Sequence, residues 1–284
     1  MRMTLPGSFD AFKAKQKPTK NLEKGDRKAT AIAIAAQKGG VGKTTTSVSL
    51  GAALARYCDK KVLIVDLDPQ AHVNIALRDM VEMGGGALSD VFADQTGMEV
   101  DEIATHTKIE DLRITPMDPG LLQTEDRLAA RMGKEMVLKR ALEVTRTHYD
   151  VIILDCPPNV GNLTINALVA CDHVLIPSSA TALAMAGVSG LMTTVHEVQE
   201  QLNPELNVLG MVLTQVDGRN STTNKAILEL LQDSWGELLM PVQIGVSNSL
   251  ARAQLAGQDI YAYDSNCRGA EQYRALAECL LERV

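Results

Sequence analysis

The sequence predicts an α/β fold in which a doubly wound, mostly parallel sheet carries helices on both faces. Short aliphatic and β-branched runs alternate with longer helical stretches from residue 30 onward. Aromatic residues make up only 3% of the chain although 45% of it is hydrophobic, so Ala, Val, Leu and Ile must supply most of the core. Such a composition is typical of buried parallel strands. Polar or glycine-rich segments follow three of the apolar runs, at the sheet edge where ligands bind in this class of fold.

The predicted elements alternate in the order that right-handed β–α–β crossovers need. Strands are predicted at residues 30–36, 61–66, 112–115, 150–155, 173–177, 208–214 and 240–244. Helices are predicted at residues 44–57, 125–147, 187–202, 222–233 and 269–283. No repeat or low-complexity linker interrupts residues 30–284, so they are expected to form a single domain.

Residues 1–29 are predicted to be a separate, disordered tail. They carry eight basic and three acidic side chains, whereas the whole chain of 284 residues has a net charge of −7. A polar, basic segment that contains proline and few apolar residues cannot bury enough surface to fold alone. The tail is either a solubilising extension or an accessory arm for nucleic acid or a protein partner.

The bulk properties exclude several classes of protein. The five cysteines are odd in number and contain no C-x-x-C pair, which indicates reduced thiols rather than a disulfide framework or a zinc site. No apolar run approaches the roughly 20 residues of a membrane span. The N-terminus has no signal-peptide core. We therefore expect a cytoplasmic protein that does not use a membrane.

Residues 37–46, with the sequence QKGGVGKTTT, join a predicted strand to the start of a predicted helix. Backbone N–H groups in such a glycine-rich turn point at an anion, and the helix dipole favours negative charge there. Lys43 can reach the β- and γ-phosphates of a nucleotide, and the Thr44 hydroxyl can bind Mg²⁺. The predicted nucleotide contacts in this loop are Lys38, Gly39, Gly40, Val41, Gly42, Lys43, Thr44 and Thr45.

This loop departs from the ordinary Walker A pattern at its first position. Gln37 stands where glycine is usual, and a second lysine, Lys38, follows it. Because Lys43 already serves the phosphates of its own subunit, Lys38 is better placed to reach a nucleotide across a two-fold axis. The alternatives are a chance glycine-rich turn or the loop of an ordinary kinase.

Carboxylates end two of the predicted strands. Asp66 and Asp68 follow residues 61–65, and Pro69 biases Asp68 toward an extended conformation. Asp155 ends the apolar run 151–154 in a Walker B pattern. ATP hydrolysis needs a group that positions the attacking water and oxygen ligands around Mg²⁺. The first two carboxylates could instead cap a turn.

Together these segments resemble the ParA/MinD superfamily of P-loop NTPases, whose deviant Walker A loop has the first lysine as its signature. The resemblance extends over residues 30–284 and is closest to ParA-type partition and positioning ATPases. It implies ATP and Mg²⁺ as cofactors and ATP hydrolase activity, with Lys38, Lys43 and Asp68 as catalytic residues. In that family the first lysine contacts the phosphates of the partner subunit.

The resemblance also implies roles around the metal. Asp68 would position the attacking water, and Asp66 would be structural or would lie behind the metal ligands. Thr44 and Asp155 would hold Mg²⁺, the carboxylate through a water. The segment after Asp155, which includes Pro157 as a nucleotide contact, resembles the family switch that senses the γ-phosphate and forms part of the dimer face.

The family cycle implies three partners. ATP drives a homodimer, the dimer binds DNA nonspecifically, and a ParB-like or other cargo-adaptor protein then triggers hydrolysis that is otherwise slow. A cargo such as a chromosome, a plasmid or a protein assembly is thereby segregated or positioned over the nucleoid. The expected location is therefore the cytoplasm, in association with the nucleoid.

One loop departs from the family in a way that affects DNA binding. Relatives carry two arginines in a loop that corresponds to residues 245–249 here, and Val246 and Ser249 stand in their places. Fewer neutralised phosphates mean weaker nonspecific binding with a smaller salt dependence. The candidate replacements are Arg219, Lys225 and Arg252, together with the basic tail.

Three other functions share parts of this pattern. A MinD-like membrane-cycling spatial regulator would need a basic, bulky C-terminal amphipathic helix, and residues 274–284 contain acids and no basic cluster. A metal-cluster reductase of the same superfamily would need cysteines that bridge two subunits. A metabolic ligase or kinase would need a small-molecule substrate site, and no segment of the sequence indicates one.

Overall fold

The structure, a computed structural model, describes residues 25–93, 97–179, 181–217, 229, 231–232 and 235–284. Across these ranges one eight-stranded sheet has the order β3-β4-β2-β5-β1-β6-β7-β8. Its strands are β1 Thr30–Ile34, β2 Val62–Asp66, β3 Thr105–His106, β4 Leu112–Ile114, β5 Val151–Asp155, β6 His173–Ser179, β7 Asn207–Val216 and β8 Leu239–Gly245. The pair β3–β4 is antiparallel and the other neighbours are parallel. The predicted fold class is confirmed.

Helices cover both faces of the sheet. They are α1 Lys43–Tyr57, α2 His72–Ala76, α3 Leu88–Ala93, α4 Val100–Ile103, α5 Leu121–Ala129, α6 Val137–Ala141, α7 Asn162–Ala170, α8 Ala182–Gln201, α9 Asn248–Leu255, α10 Ile260–Asp264 and α11 Arg268–Leu281. One apolar core lies between the sheet and the group α1, α2, α9, α10 and α11. A second core lies under α3 to α8. The two cores give the doubly wound arrangement that the alternation predicts.

The prediction of one helix over residues 125–147 is wrong. The chain there forms α5, 3₁₀ turns at Lys134–Met136 and Thr145–Thr147, and the short α6. Gly133 adopts a left-handed backbone with φ of 65°, which ends the first helical stretch. Helical periodicity continues across this break because α5 and α6 both present apolar residues to the same core.

Other differences lie in short elements. Strand β3 has only two residues, and α2, α4 and α10 have four or five, which is too short for a periodic pattern to be recognised. Helix α9 begins after Ser247, whose side chain accepts a hydrogen bond from the Leu250 N–H. The predicted helix at 222–233 lies almost wholly outside the described residues.

The last residues of the predicted tail run along the body of the protein. The Arg27 N–H donates to the Thr147 carbonyl at 3.0 Å, and the Ala29 N–H donates to the Arg146 carbonyl at 2.9 Å. The Arg27 guanidinium also pairs with the Asp150 carboxylate. Residues 1–24 lie outside the described residues, so their disorder stays a prediction. In the described part of the chain, no helix combines the length and apolarity that crossing a bilayer requires.

Candidate nucleotide-binding and hydrolysis site

The three motif segments meet at the carboxyl ends of the central strands. In the parallel register, Asp155 at the end of β5 lies beside Ile34 of β1 and Asp66 of β2. The glycine-rich loop continues from β1, and residues 67–71 continue from β2. Because ligands of doubly wound sheets bind beyond this edge, the topology itself brings the candidate residues together.

The glycine-rich loop leaves the start of α1 open to an anion. Gly40 and Gly42 have φ of 74° and 85°, a left-handed conformation that strains residues with a side chain. Gly42 is the N-cap of α1 and offers no side-chain cap, and the first turn contains no acidic residue. The first N–H groups of the helix therefore remain available to phosphate oxygens.

Lys43 occupies the floor of this loop as a nearly buried cation, with 7% of its surface exposed. Its Nζ donates to the Lys38 carbonyl at 3.4 Å. Burial lowers the pKa of Lys43, and the neighbouring carboxylates Asp155 and Asp68 act in the opposite direction. A buried cation with one weak neutral acceptor is suited to bind a polyanion.

Asp155 is fully buried and accepts two hydroxyl hydrogen bonds from α1. Thr44 Oγ1 donates to Oδ2 at 2.8 Å, and Ser47 Oγ donates to Oδ1 at 2.6 Å. Burial raises the pKa of Asp155 to about 6, because the charged form is poorly solvated there. A divalent cation would favour the charged form and displace the proton.

The donor set fits Mg²⁺. Thr44 and Asp155 offer hard oxygen atoms, and among the described residues no group of three or more His, Cys, Asp and Glu side chains forms a dedicated metal cage. Mg²⁺ in nucleotide sites is ordinarily held by one or two protein oxygens, water and phosphate oxygens. The hydroxyl and carboxylate are therefore the residues that would hold it.

The Asp66 carboxylate accepts hydrogen bonds from the backbone of the protein. Its Oδ1 accepts from the Asp68 N–H at 3.2 Å, and its Oδ2 accepts from the Val73 N–H at 3.1 Å. Burial, with the charge of Asp155 beside it, raises the pKa of Asp66. These bonds stabilise the turn after β2. They favour a structural role for Asp66 over a position next to the metal.

Asp68 lies at the wall of the cleft that the loop forms. Its Oδ1 accepts from the Gln70 N–H at 2.9 Å, and only 6% of the residue is exposed. The cleft has a volume of 340 Å³ and is lined by Gly39, Gly40, Gly42, Lys43, Thr44, Thr45, Asp68, His72, Ile75, Ala76, Pro158, Gln215 and Gln254. Pro158 rather than Pro157 therefore faces the cleft, and Pro157 is buried.

A second cleft of 430 Å³ shares Gly42, Thr45, Gln215 and Gln254 with the first. Its remaining wall comes from β8, α9 and the loop between them, with Thr214 of β7 and Tyr273 of α11. Both clefts therefore border the glycine-rich loop.

Comparison with known proteins identifies the family. A protein-family model described as an AAA domain matches residues 29–208. The sporulation initiation inhibitor protein Soj of Bacillus subtilis is 40% identical over 250 residues, or 87% of this chain and 96% of Soj. The chromosome partitioning protein ParA of Caulobacter vibrioides is 34% identical over 254 residues, or 89% of this chain and 94% of that protein. The chain belongs to the ParA family of ATPases.

A solved structure gives the same fold. The cobyrinic acid a,c-diamide synthase of Mycobacterium smegmatis, with a bound ATP analogue and magnesium, is 33% identical with a TM-score of 0.75. The alignment covers 89% of this chain and 95% of that one. The likeness therefore extends over most of the length of both chains.

Two side chains that the sequence analysis missed fasten the loop of this ParA-type ATPase to the end of β7. Thr214 Oγ1 donates to the Val41 carbonyl at 2.7 Å, and Gln215 Nε2 donates to the Gly40 carbonyl at 2.8 Å. Gln215 is held with φ of 55°, in the left-handed region. No sequence signal marks this pair, because the contact joins residues about 175 positions apart.

Lys38 lies at the mouth of the loop, against α8. If Gly187 carried a side chain, its Cβ would lie 3.9 Å from the Lys38 Cβ. The Gln37 carboxamide lies over Gly190 of the same helix. The Lys38 side chain is half-buried, and within the described ranges its ammonium has no ion-pair partner. Lys43, not Lys38, occupies the floor of the phosphate loop in this ParA-type ATPase.

The segment after Asp155 is anchored through α7. The Glu125 carboxylate of α5 accepts from the Asn162 N–H at 2.8 Å and from the Leu163 N–H at 3.1 Å, and so caps the start of α7. A Cβ on Gly161 would lie 2.6 Å from a Glu125 oxygen. The fully buried Asn166 donates to the Lys134 carbonyl at 2.9 Å. Helix α7 is therefore tied to the segment that contains α5.

The predicted DNA-binding residues are only partly described. Arg252 is exposed on α9, whereas Arg219 and Lys225 lie outside the described residues. In the loop predicted to correspond to the arginine loop of relatives, Val246 is 59% exposed and Ser249 Oγ donates to Asp264 Oδ2 at 3.2 Å. A carboxylate at this place disfavours phosphate, so the loop itself offers little to DNA.

Proposed function

We propose that this chain is an ATP-gated switch that segregates or positions a cargo. ATP and Mg²⁺ bind in the first cleft and pair two copies, the pair binds DNA without sequence preference, and hydrolysis separates it. The supporting observation is Lys38, which lies at the mouth of a phosphate site already served by Lys43. Relatives that this chain matches over most of their length are named for chromosome partitioning.

Each site residue has a role in this proposal. The N–H groups of residues 39–45 and the Lys43 ammonium bind the β- and γ-phosphates, and Thr44 and Asp155 hold Mg²⁺. When bound, Mg²⁺ neutralises charge on the phosphate oxygens. Lys38 binds the phosphates of the partner copy. The base lies in the second cleft, near Gln254, because that cleft continues from the loop and has a largely uncharged wall.

Hydrolysis needs little covalent help from the protein. A water oxygen bonds to the γ-phosphorus, the bond from that phosphorus to the bridging oxygen of ADP breaks, and the water protons leave with phosphate or solvent. Asp68 accepts a hydrogen bond from the attacking water and orients it, while Lys43 stabilises the charge on the phosphate oxygens. Basal turnover is slow, since the ATP state must persist until a ParB-like or other adaptor protein arrives.

DNA is the proposed matrix, so the active dimer would be associated with the nucleoid. Arg252 supplies one exposed cation, and Arg219, Lys225 and the basic residues before position 25 are the further candidates. Binding should be weaker and less salt-dependent than in relatives with an arginine loop, because fewer phosphates are neutralised.

The MinD-like alternative conflicts with the packing of α11. The apolar face of this helix, which includes Tyr273, Leu276 and Leu280, is buried in the core shared with α1. An amphipathic membrane anchor needs such a face to be free. The name of the Mycobacterium smegmatis neighbour suggests an amide synthase instead. Assay of ATP-dependent amide formation on a corrinoid carboxylate, with wild-type protein, tests that alternative directly.

Anisotropy of a labelled, random-sequence DNA duplex tests the proposed matrix. Binding should appear with ATP and not with ADP, and raising the salt from 50 to 200 mM should weaken it. Arg252→Glu should weaken binding by about tenfold, because one attractive contact becomes repulsive. Arg127→Glu makes the same charge change on the exposed surface of α5 and should leave affinity unchanged. Equal affinity in ADP and ATP would contradict the proposal.

A further inference from the structure

His72 faces the candidate catalytic carboxylate from the first turn of α2. Its Nδ1 lies 3.3 Å from Asp68 Oδ2, four residues earlier in the chain. The imidazole is half exposed and lines the same cleft as Lys43 and Thr44. The contact is therefore within the space that a nucleotide would enter, and neither the loop motif nor the carboxylate motif accounts for it.

The backbone between the two residues directs the imidazole toward the carboxylate. The Ala71 N–H donates to the Asp68 carbonyl at 2.8 Å, and Ala71 itself has φ of 52°, in the left-handed region. This turn starts α2 at His72 and reverses the chain toward the end of β2. A strained alanine at this point costs free energy, which the surrounding contacts must offset.

The two oxygens of the carboxylate are held from different directions. Oδ1 accepts the Gln70 N–H at 2.9 Å, and Oδ2 faces His72 Nδ1. Each carboxylate oxygen can accept two hydrogen bonds, so one direction at each oxygen stays open to water. With two partners in place, the carboxylate is held in one orientation at the wall of the cleft.

The charges that face this pair are few. The cleft wall contains three ionisable side chains, Lys43 from α1, Asp68, and His72 itself, and its other described residues are uncharged. Asp155 lies behind Lys43 on the β5 side and bonds to Thr44. The nearest charged neighbour of the imidazole is therefore the Asp68 carboxylate.

We propose that His72 is a positioning residue for ATP hydrolysis: its Nδ1–H holds Asp68 Oδ2, so that the carboxylate is aimed at the attacking water. The inference rests on the proposed role of Asp68. Neutral imidazole with the proton on Nδ1 donates without withdrawing charge. Loss of this donor should lower turnover and leave ATP binding unchanged.

Two substitutions test the proposed hydrogen-bond donor. His72→Ala removes the donor, and kcat should fall about tenfold while the ATP dissociation constant stays unchanged, since a hydrogen bond to a charged group is worth roughly that factor. His72→Asn keeps an amide donor near the Nδ1 position, so kcat at pH 8 should stay within about threefold of wild type.

The control is His106→Ala, which removes an exposed imidazole of β3 that lines neither cleft. It should leave kcat unchanged, and thermal melting checks that all variants fold. A His72→Ala enzyme with wild-type kcat, or a His72→Asn enzyme as slow as His72→Ala, would overturn the inference. A wild-type rate in Asp68→Ala would instead overturn the proposed role of Asp68, so the two failures are distinguishable.

Discussion

Asp68→Ala should bind ATP with wild-type affinity and hydrolyse it at least about 100-fold more slowly, because an oriented general base or water-positioning group contributes that much or more. The described side-chain contacts of Asp68 are local, since Oδ1 accepts from the Gln70 N–H and Oδ2 faces His72 Nδ1. Phosphate release under saturating ATP measures the rate, and titration with a fluorescent ATP analogue measures the affinity. The proposed switch turns over slowly without a partner protein, so the assay must resolve low rates.

Asp68→Asn is the matched control for this loss. The amide oxygen can still accept from the Gln70 N–H, so the turn before α2 is preserved, but the carboxylate is gone. Asp68→Asn should therefore be as slow as Asp68→Ala and should melt close to wild type. Wild-type turnover in either variant would show that another group positions the water.

Lys43→Ala should abolish detectable nucleotide binding. The ammonium is nearly buried, with Asp155 and Asp68 as its charged neighbours. Removing it leaves these acids without a cation at the place where phosphates must enter. Removing one partner of a buried charged contact, here the lysine that would meet the phosphates, costs roughly 3 kcal/mol or more. This corresponds to a loss of at least about 100-fold in affinity. Isothermal titration with ATP and Mg²⁺, and separately with ADP, measures the effect.

Lys38→Ala is the matched control for Lys43→Ala. It changes the neighbouring lysine of the same loop, five residues earlier, yet should bind ATP within about threefold of wild type, since the half-exposed ammonium adds little in one subunit. Equal losses in Lys38→Ala and Lys43→Ala would mean that both lysines serve the same nucleotide. That outcome would contradict the division of roles between them.

Much of the fold could be predicted because strong local patterns mark its central strands. The apolar runs that became β1, β2 and β5 are buried on both faces, so they read as continuous hydrophobic segments. The glycine-rich loop, Asp68 and Asp155 each follow one of these runs. Parallel topology then brings all three to one edge of the sheet, where the sequence analysis expected a ligand.

The segment of residues 121–147 could not be predicted in the same way. Its helical periodicity is real, but Gly133 divides it between two short helices. The sequence pattern places Glu125 on a solvated surface, whereas its carboxylate caps the start of α7. Long-range contacts of this kind leave no local signal. The same holds for His72, whose contact with Asp68 depends on the left-handed conformation of Ala71.

The measurement that tests the central claim most directly is the mass of Asp68→Ala by sedimentation velocity, with ADP and with ATP, alone and combined with Lys38→Ala. Slow hydrolysis preserves the ATP state in both proteins. The account predicts a monomer in ADP, a dimer of Asp68→Ala in ATP, and a monomer of the double variant that still binds ATP. Dimerisation of the double variant to the same extent, or an Asp68→Ala protein that stays monomeric in ATP, would contradict it.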